Sequence, residues 1–344
     1  VIAGASGMIG LPLQALLAER GHIVHTLVRR SPQGPTEHQW NPATGVIFDD
    51  ILERSDVVVN LAAASIGKLP WTRKHKELIM SSRRETTGTL AHAIANASSP
   101  PRALIQGTAV GFYGERGDED LTEKSSAGDG YLAEVVQEWE KAALPAKSAK
   151  TRVVFARTGL VIGRGGAMAP LRLQTALGVA GPIGRGTQWW PWISLHDEVR
   201  ALAFLCENSK ASGPINLVAP NPATANTVTR SLAKEMKRPF WLGLPRFAIS
   251  LVLGEGGRSL LLTSQKIHPT QLEKLGFEFA DPTIEGRHRG SCRGLACSPI
   301  QANSPANRPP RTAPVAAGVI GHSEPHPRLP AVRGLFHRLS ERRE

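Results

Sequence analysis

Cysteine is nearly absent: Cys206, Cys292 and Cys297 are the only three in 344 residues. So few cannot form a disulfide framework, and they fit a reducing, cytoplasmic setting. No apolar run approaches the ~18 residues that a membrane span requires. The most membrane-like stretch, Phe247 to Leu253, is far shorter. No secretory signal precedes the first predicted strand. The chain opens on Val1 inside that strand, so an initiating Met and one or two residues are expected to be missing. The histidines are scattered, and Cys292 and Cys297 stand apart from other ligand types, so no metal site is expected. No serine-nucleophile signature accompanies the adjacent His196 and Asp197.

Lysine disappears after Gly286, where the composition breaks. Residues 287–344 hold ten Arg, three Glu and eight Pro, and carry +7 of the net charge of +12. Such a stretch cannot bury enough apolar area to offset its ordering entropy, so disorder is expected there. Its Arg/Pro/Ala/Ser bias fits an out-of-frame read of a GC-rich gene, and it also fits a genuine basic arm that binds phosphates nonspecifically. Because more than half of the net charge sits in this tail, nucleic acid is not the expected partner of the rest; a small-molecule substrate is. Nothing in the sequence sets the oligomeric state.

What is present is concentrated at the start. The apolar run Val1-Ile2-Ala3 leads into Gly4-Ala5-Ser6-Gly7-Met8-Ile9-Gly10, then a helix with Leu13, Leu16 and Leu17 on one side that stops at Gly21. Strand, glycine turn and helix in that order bring backbone N–H groups and a helix N-terminus to a phosphate. The spacing is G-x-x-G-x-x-G rather than G-x-G-x-x-G. Gly4, Ser6, Gly7, Met8, Ile9 and Gly10 are the candidate phosphate contacts.

Further along, strands are predicted over 22–28, 56–62, 103–108, 152–162 and 215–219. Helices are predicted over 74–96, 131–143, 199–206 and 227–237, and the polar stretch 31–45 reads as irregular. Strands spaced by helices imply an α/β, doubly wound parallel sheet of Rossmann type. The expected division is a dinucleotide-binding domain over 1–165, with segments near 190–219 returning to it, then a smaller α-rich substrate domain over 166–286 and the tail over 287–344. Trp189, Trp190 and Trp192 are expected to pack under the smaller domain, though stacking on a nucleotide or sugar also fits.

Seven segments carry a family resemblance: GASGMIG (4–10), VVNLAAASI (58–66), WTRKHKELIMSSRRETT (71–87), GTAVGFYG (107–114), RTGLVIGRGGAM (157–168), WWPWISLHDEV (189–199) and GPINLVAPNPAT (213–224). Together they resemble the atypical, extended short-chain dehydrogenase/reductases, and within them the epimerase-like subgroup often labelled "cell-division inhibitor", with its short C-terminal domain. The resemblance implies adenosine or ribose contacts at Leu61 and Ala62, and a cofactor contact at Arg83. It also implies an acid–base tyrosine with a lysine four residues on, and a hydroxyl upstream.

Two departures shape the chemistry. Where NAD-selective proteins carry an acidic residue for the ribose 2′-OH, this chain has Arg29 and Arg30. Guanidinium groups suit a 2′-phosphate, so NADP is expected in preference to NAD; a solvated pair at a strand end is the plainer alternative. The second departure lies in the dyad. Thr108 maps to the upstream hydroxyl and Tyr131 to the tyrosine, but the lysine position is Val135. Without that cation a tyrosine stays near pKa ~10 and is a poor base at neutral pH. Tyr113, the other tyrosine, is a second candidate facing the nicotinamide. Two functions follow: an NADP-dependent oxidoreductase or epimerase acting on a small or nucleotide-linked hydroxyl or carbonyl substrate, or a non-catalytic NADP-binding redox sensor or regulator.

Overall fold

Four strands of the central sheet point their side chains alternately into two apolar layers. Ile2, Val59, Ile105 and Val154 enter one core, whereas Ala3, Val58, Leu104 and Val153 enter the other. That is the signature of a sheet covered on both faces. The computed structural model describes residues 1–163 and 165–285. Its main sheet comprises β1 (Ile2–Ala3), β2 (Thr26–Val28), β3 (Glu37–Asn41), β4 (Val46–Ile47), β5 (Val57–Asn60), β6 (Ala103–Ala109), β7 (Arg152–Thr158) and β8 (Gly213–Leu217). The order is β8-β7-β6-β5-β1-β2-β3-β4, parallel throughout except for the antiparallel β3–β4 pair.

Helices α1 (Gly10–Glu19) and α5 (Leu195–Glu207) cover the first face with Leu13, Leu17, Val199, Leu202 and Leu205. On the second face, α2 (Arg73–Asn96) and α3 (Tyr131–Ala143) contribute Leu90, Ile94 and Ala143. Side-chain caps set two of these starts: Thr72 accepts the His75 N–H at α2, and Ser194 accepts the Asp197 N–H at α5. The Ser194 cap starts α5 four residues before the periodicity suggests. Asp197 then accepts the N–H groups of Ala280 and Asp281 and an Arg200 N–H, so His196–Asp197 is a structural junction that fastens the distal segment.

A third core gathers Met168 and Leu171 of α4 (Met168–Ala176), Val228 and Leu232 of α6 (Ala225–Glu235), and Ile249 of α7 (Arg246–Gly257) around Trp190 and Trp192. Trp190 and Trp192 are buried, while Trp189 is half-buried and donates its indole N–H to Asp118. β8, although it follows α4 and α5, returns to the edge of the main sheet beside β7.

The structure departs from the expected elements at three further places. The polar stretch 31–45 contains β3, an edge-proximal strand that buries His38 and Trp40 on one side and leaves Glu37 and Gln39 half-buried on the other. β2 begins at Thr26, because His22 and Ile23 are exposed. The strand expected over 152–162 breaks at Gly159, where an added Cβ would meet the Pro191 carbonyl oxygen; Leu160–Ile162 then pairs with Trp192–Ser194. The expectations for residues 287–344, including the tail's disorder and Cys292 and Cys297, lie outside the described residues. Among the described residues, no helix is long and apolar enough to cross a membrane.

α5 carries one costly group. The Glu198 carboxyl is fully buried; Oε1 accepts the Thr158 hydroxyl at 2.8 Å, and Oε2 has no hydrogen-bond partner. Burial pushes its pKa up to about 8, while the Thr158 bond pulls the other way. The folded state therefore keeps a proton that the unfolded chain releases above its ordinary carboxylate pKa, so this group makes stability fall as pH rises toward 8. In Glu198→Gln that dependence is expected to flatten, with stability at pH 8 rising by about a few kcal/mol, measured as urea midpoints between pH 5 and 8.

Candidate active site

β1 pairs with β2 on one side and β5 on the other, so the chain order reverses between β1 and β5. A crevice at the carboxyl ends of such strands is where open α/β sheets bind ligands. The glycine turn sits at that point. Gly4, with φ +80°, packs so tightly on the end of β5 that a Cβ would lie 2.6 Å from the Leu61 carbonyl carbon. At Gly10 a Cβ would lie 2.5 Å from the Gly4 carbonyl oxygen. These two positions admit only glycine. Gly7 is different: it is exposed, and a Cβ there would meet only the Gly4 oxygen, at 3.2 Å. Packing thus asks less of Gly7 than of Gly4 and Gly10.

Beyond the turn, α1 starts with no side-chain cap at Ile9 and no acidic residue in its first turn, so its positive end faces outward unopposed. Ser6 is exposed and Met8 and Ile9 are half-buried. Met8 is overlain by a second glycine-rich segment: Cβ atoms at Gly163, Gly165 and Gly166 would lie 3.7, 3.4 and 3.2 Å from its sulfur. Sequence reasoning missed this cover, although the glycines between residues 163 and 166 were the signal for it.

Arg29 and Arg30 follow β2 at the same edge of the sheet, but only one is available. Arg30 forks onto Glu37 of β3, with both N–H···O distances 2.6 Å. Glu37 also accepts the Gln33 N–H, and Arg30, followed by this backbone bond, holds its pKa down at about 2. Arg29 is exposed and has no partner among the described residues. Arg30 thus braces the loop through Ser31 and Gln33, whereas the Arg29 guanidinium is not tied to another side chain.

The floor of the crevice is held by uncharged groups. Asn60 donates to Thr87 and Gln106, while its own Oδ1 accepts the Ala62 N–H. Thr86 donates to the Ala62 carbonyl, and the Trp139 indole donates to Thr87. Leu61 and Ala62, both half-buried, are thereby fixed against Gly4. Arg83 is a buried residue of α2 rather than a surface one. It donates to the Ala64 and Ile79 carbonyls and stacks on Trp139, 4.6 Å from the ring centre.

The three candidate hydroxyls do not converge. Tyr113 has no exposed surface; it donates to Asn216 at 2.8 Å and accepts from Arg157 at 3.0 Å. Burial raises its pKa, against the pull of Arg157. Arg157 in turn forks onto Glu140 at 2.8 Å, and Thr108 donates to the same carboxylate at 3.3 Å. Tyr113 and Thr108 are thus parts of a buried network, and the Tyr113 hydroxyl is turned toward Asn216 and Arg157. Tyr131 is the exception. Half-buried at the start of α3, it borders an open cavity of about 470 Å³ with Trp71, Lys76, Met80 and Glu255. Its hydroxyl donates to the Lys76 carbonyl at 2.6 Å, and Lys76 Nζ lies 4.2 Å from its ring centre. Val135 is 2% exposed and points into the core. Among the described residues, no cluster of three or more His, Cys, Asp or Glu is placed to hold a metal ion.

Comparison with known proteins agrees with this geometry. Residues 1–218 match the NAD dependent epimerase/dehydratase family, and residues 244–286 match a domain of unknown function, DUF1731. An epimerase family protein of Mycobacterium leprae is 40% identical over 284 residues, 82% of this chain and 92% of the relative. The crystal structure of the human epimerase family protein SDR39U1 (isoform 2) with NADPH aligns with a TM-score of 0.76 at 33% identity, over 83% of this chain and 96% of that one. A nucleoside-diphosphate sugar epimerase from Corynebacterium glutamicum aligns with a TM-score of 0.69 at 35% identity, over 86% of this chain but 57% of its own. Glycine turn, strand order and sequence similarity agree: the chain belongs to the NAD dependent epimerase/dehydratase family.

Proposed function

We propose that this chain is a cytoplasmic NADP(H)-binding protein of oxidoreductase or epimerase type, acting on a small or nucleotide-linked hydroxyl or carbonyl substrate. The observation that carries it is the uncapped, glycine-lined turn at the strand-order reversal, with the unpartnered Arg29 beside it. The human relative crystallised with NADPH supports the phosphorylated cofactor, and the Corynebacterium relative supports a nucleotide-linked substrate. In this reading the 4–10 turn and the α1 N-terminus hold the pyrophosphate, Arg29 the 2′-phosphate, and Leu61 and Ala62 the adenosine side. In the same reading Gly163, Gly165 and Gly166, which lie over Met8, shield the phosphates from water. When bound, the cofactor supplies hydride chemistry. Tyr131 is the hydroxyl that borders open space and is assigned the proton transfer, breaking its bond to the Lys76 carbonyl to do so.

A second reading rests on a specific observation. Val135 replaces the dyad lysine, and Thr108 and Tyr113 are consumed internally, so the chain also fits a non-catalytic NADP-binding sensor or regulator. A panel of carbonyl compounds and sugar nucleotides with NADPH separates the two. Turnover that falls by ~10²–10⁴ in Tyr131→Phe is the result expected of the enzyme. Tight binding with no turnover anywhere in the panel supports the sensor.

Two binding measurements test the cradle itself. Arg29→Ala is expected to weaken NADPH binding by ~10–100-fold in calorimetry and to leave NADH nearly unchanged, because only the former carries the 2′-phosphate. Arg30→Ala has the smaller effect on NADPH. Gly7→Ala is expected to shift thermal unfolding by under ~1 kcal/mol of stability while lowering affinity for both nucleotides at least ~10-fold. Equal affinities of wild type and Gly7→Ala would remove the turn from the site.

A further inference from the structure

Arg83 is a buried cation with nothing acidic to balance it. It is 7% exposed, and no carboxylate among the described residues pairs with it. Its partners are the neutral Ala64 and Ile79 carbonyls and the face of Trp139. Burial drives its pKa down to about 10. An unpaired charge in such a place opposes folding, so packing alone does not account for it.

Its position in the helix pair supplies a reason. α2 and α3 run side by side in the same sense: Lys76 lies over Tyr131, and farther along both helices Arg83 and Thr87 meet Trp139. Tyr131, Val135 and Trp139 are spaced by four and share one face of α3. Arg83 stands two turns beyond Lys76, which brings it level with the stretch from Val135 to Trp139. We infer that Arg83 is a positioning residue that supplies from α2 the positive charge missing at position 135, stabilising the ionised Tyr131 phenol.

This deepens the proposed role of Tyr131 and rests on it. Burial raises the Tyr131 pKa, Arg83 acts against that rise, and Glu255 of α7 and Glu134 of α3 reinforce it. Lys76 caps the ring face and is itself paired with Glu255, while Arg73 and Glu77 at the cavity rim pair with each other.

The chain's two tyrosines make the test direct. Biosynthetic replacement by a fluorinated, more acidic tyrosine gives two ¹⁹F resonances; Tyr131→Phe assigns them, and Tyr113 is the internal control. In the cofactor-free protein, Arg83→Met is expected to raise the Tyr131 midpoint by about one pH unit, and Arg83→Lys to leave it near wild type. An unmoved midpoint in Arg83→Met overturns the inference. So does an Arg83→Lys midpoint displaced as far as that of Arg83→Met, which would reduce the effect to packing on Trp139. If Arg83→Met does not fold, the fluorotyrosine-labelled protein with Arg83 intact still decides: the Arg83 Nε–H resonance must shift as Tyr131 ionises and stop doing so in Tyr131→Phe, and a resonance indifferent to that ionisation overturns the proposal. Because the readout is an ionisation rather than turnover or nucleotide affinity, failure here leaves the NADP(H) assignment standing, and absence of turnover leaves this inference standing.

Discussion

The ends of β1 and β5 approach so closely that residue 4 has room for a hydrogen and nothing more. From that contact the rest of the crevice follows. The turn cannot drift away from Leu61 and Ala62, so the N-terminus of α1 is aimed along the seam where the strand order reverses. Gly10 repeats the constraint from the other side, packing the first turn of α1 onto the Gly4 carbonyl. The steric demands at Gly4 and Gly10 and the openness at Gly7 divide the motif into two fixed points and a space between them.

A second constraint explains why the chemistry is not laid out as the family pattern suggests. Thr108, Glu140, Arg157, Tyr113 and Asn216 form one buried network across β6, α3, β7 and β8. Asn216 extends it to the distal segment by donating to the His268 carbonyl, and its N–H is accepted by Glu123. A buried, fully paired Arg–Glu fork is costly to break from one side. These hydroxyls are thus committed to holding the late segments onto the sheet, and Tyr131 is left alone beside open space.

Much of this was legible in the sequence, for physical reasons. Apolar β-strands covered on both faces announce themselves as short hydrophobic runs, so β5, β6 and β7 were readable, as were the four-residue spacings on α3. β3 was not, since an edge-proximal strand buries only His38 and Trp40 and shows polar residues elsewhere. Glycine spacing located the turn, but the steric requirement at Gly4 comes from Leu61 and Ala62, far along the chain. The Arg29–Arg30 pair was visible, whereas the partner that occupies Arg30 lies on the unpredicted strand. The burial of Tyr113 and Arg83 was not legible for a related reason: it is decided by tertiary packing, and neither residue type announces it.

The Asn60–Gln106–Thr87–Trp139 chain beneath the crevice contains no group that gains or loses a proton in the physiological range. A change of pH therefore leaves the hydrogen bonds of this bed, and with them the shape held under Leu61 and Ala62, as they are.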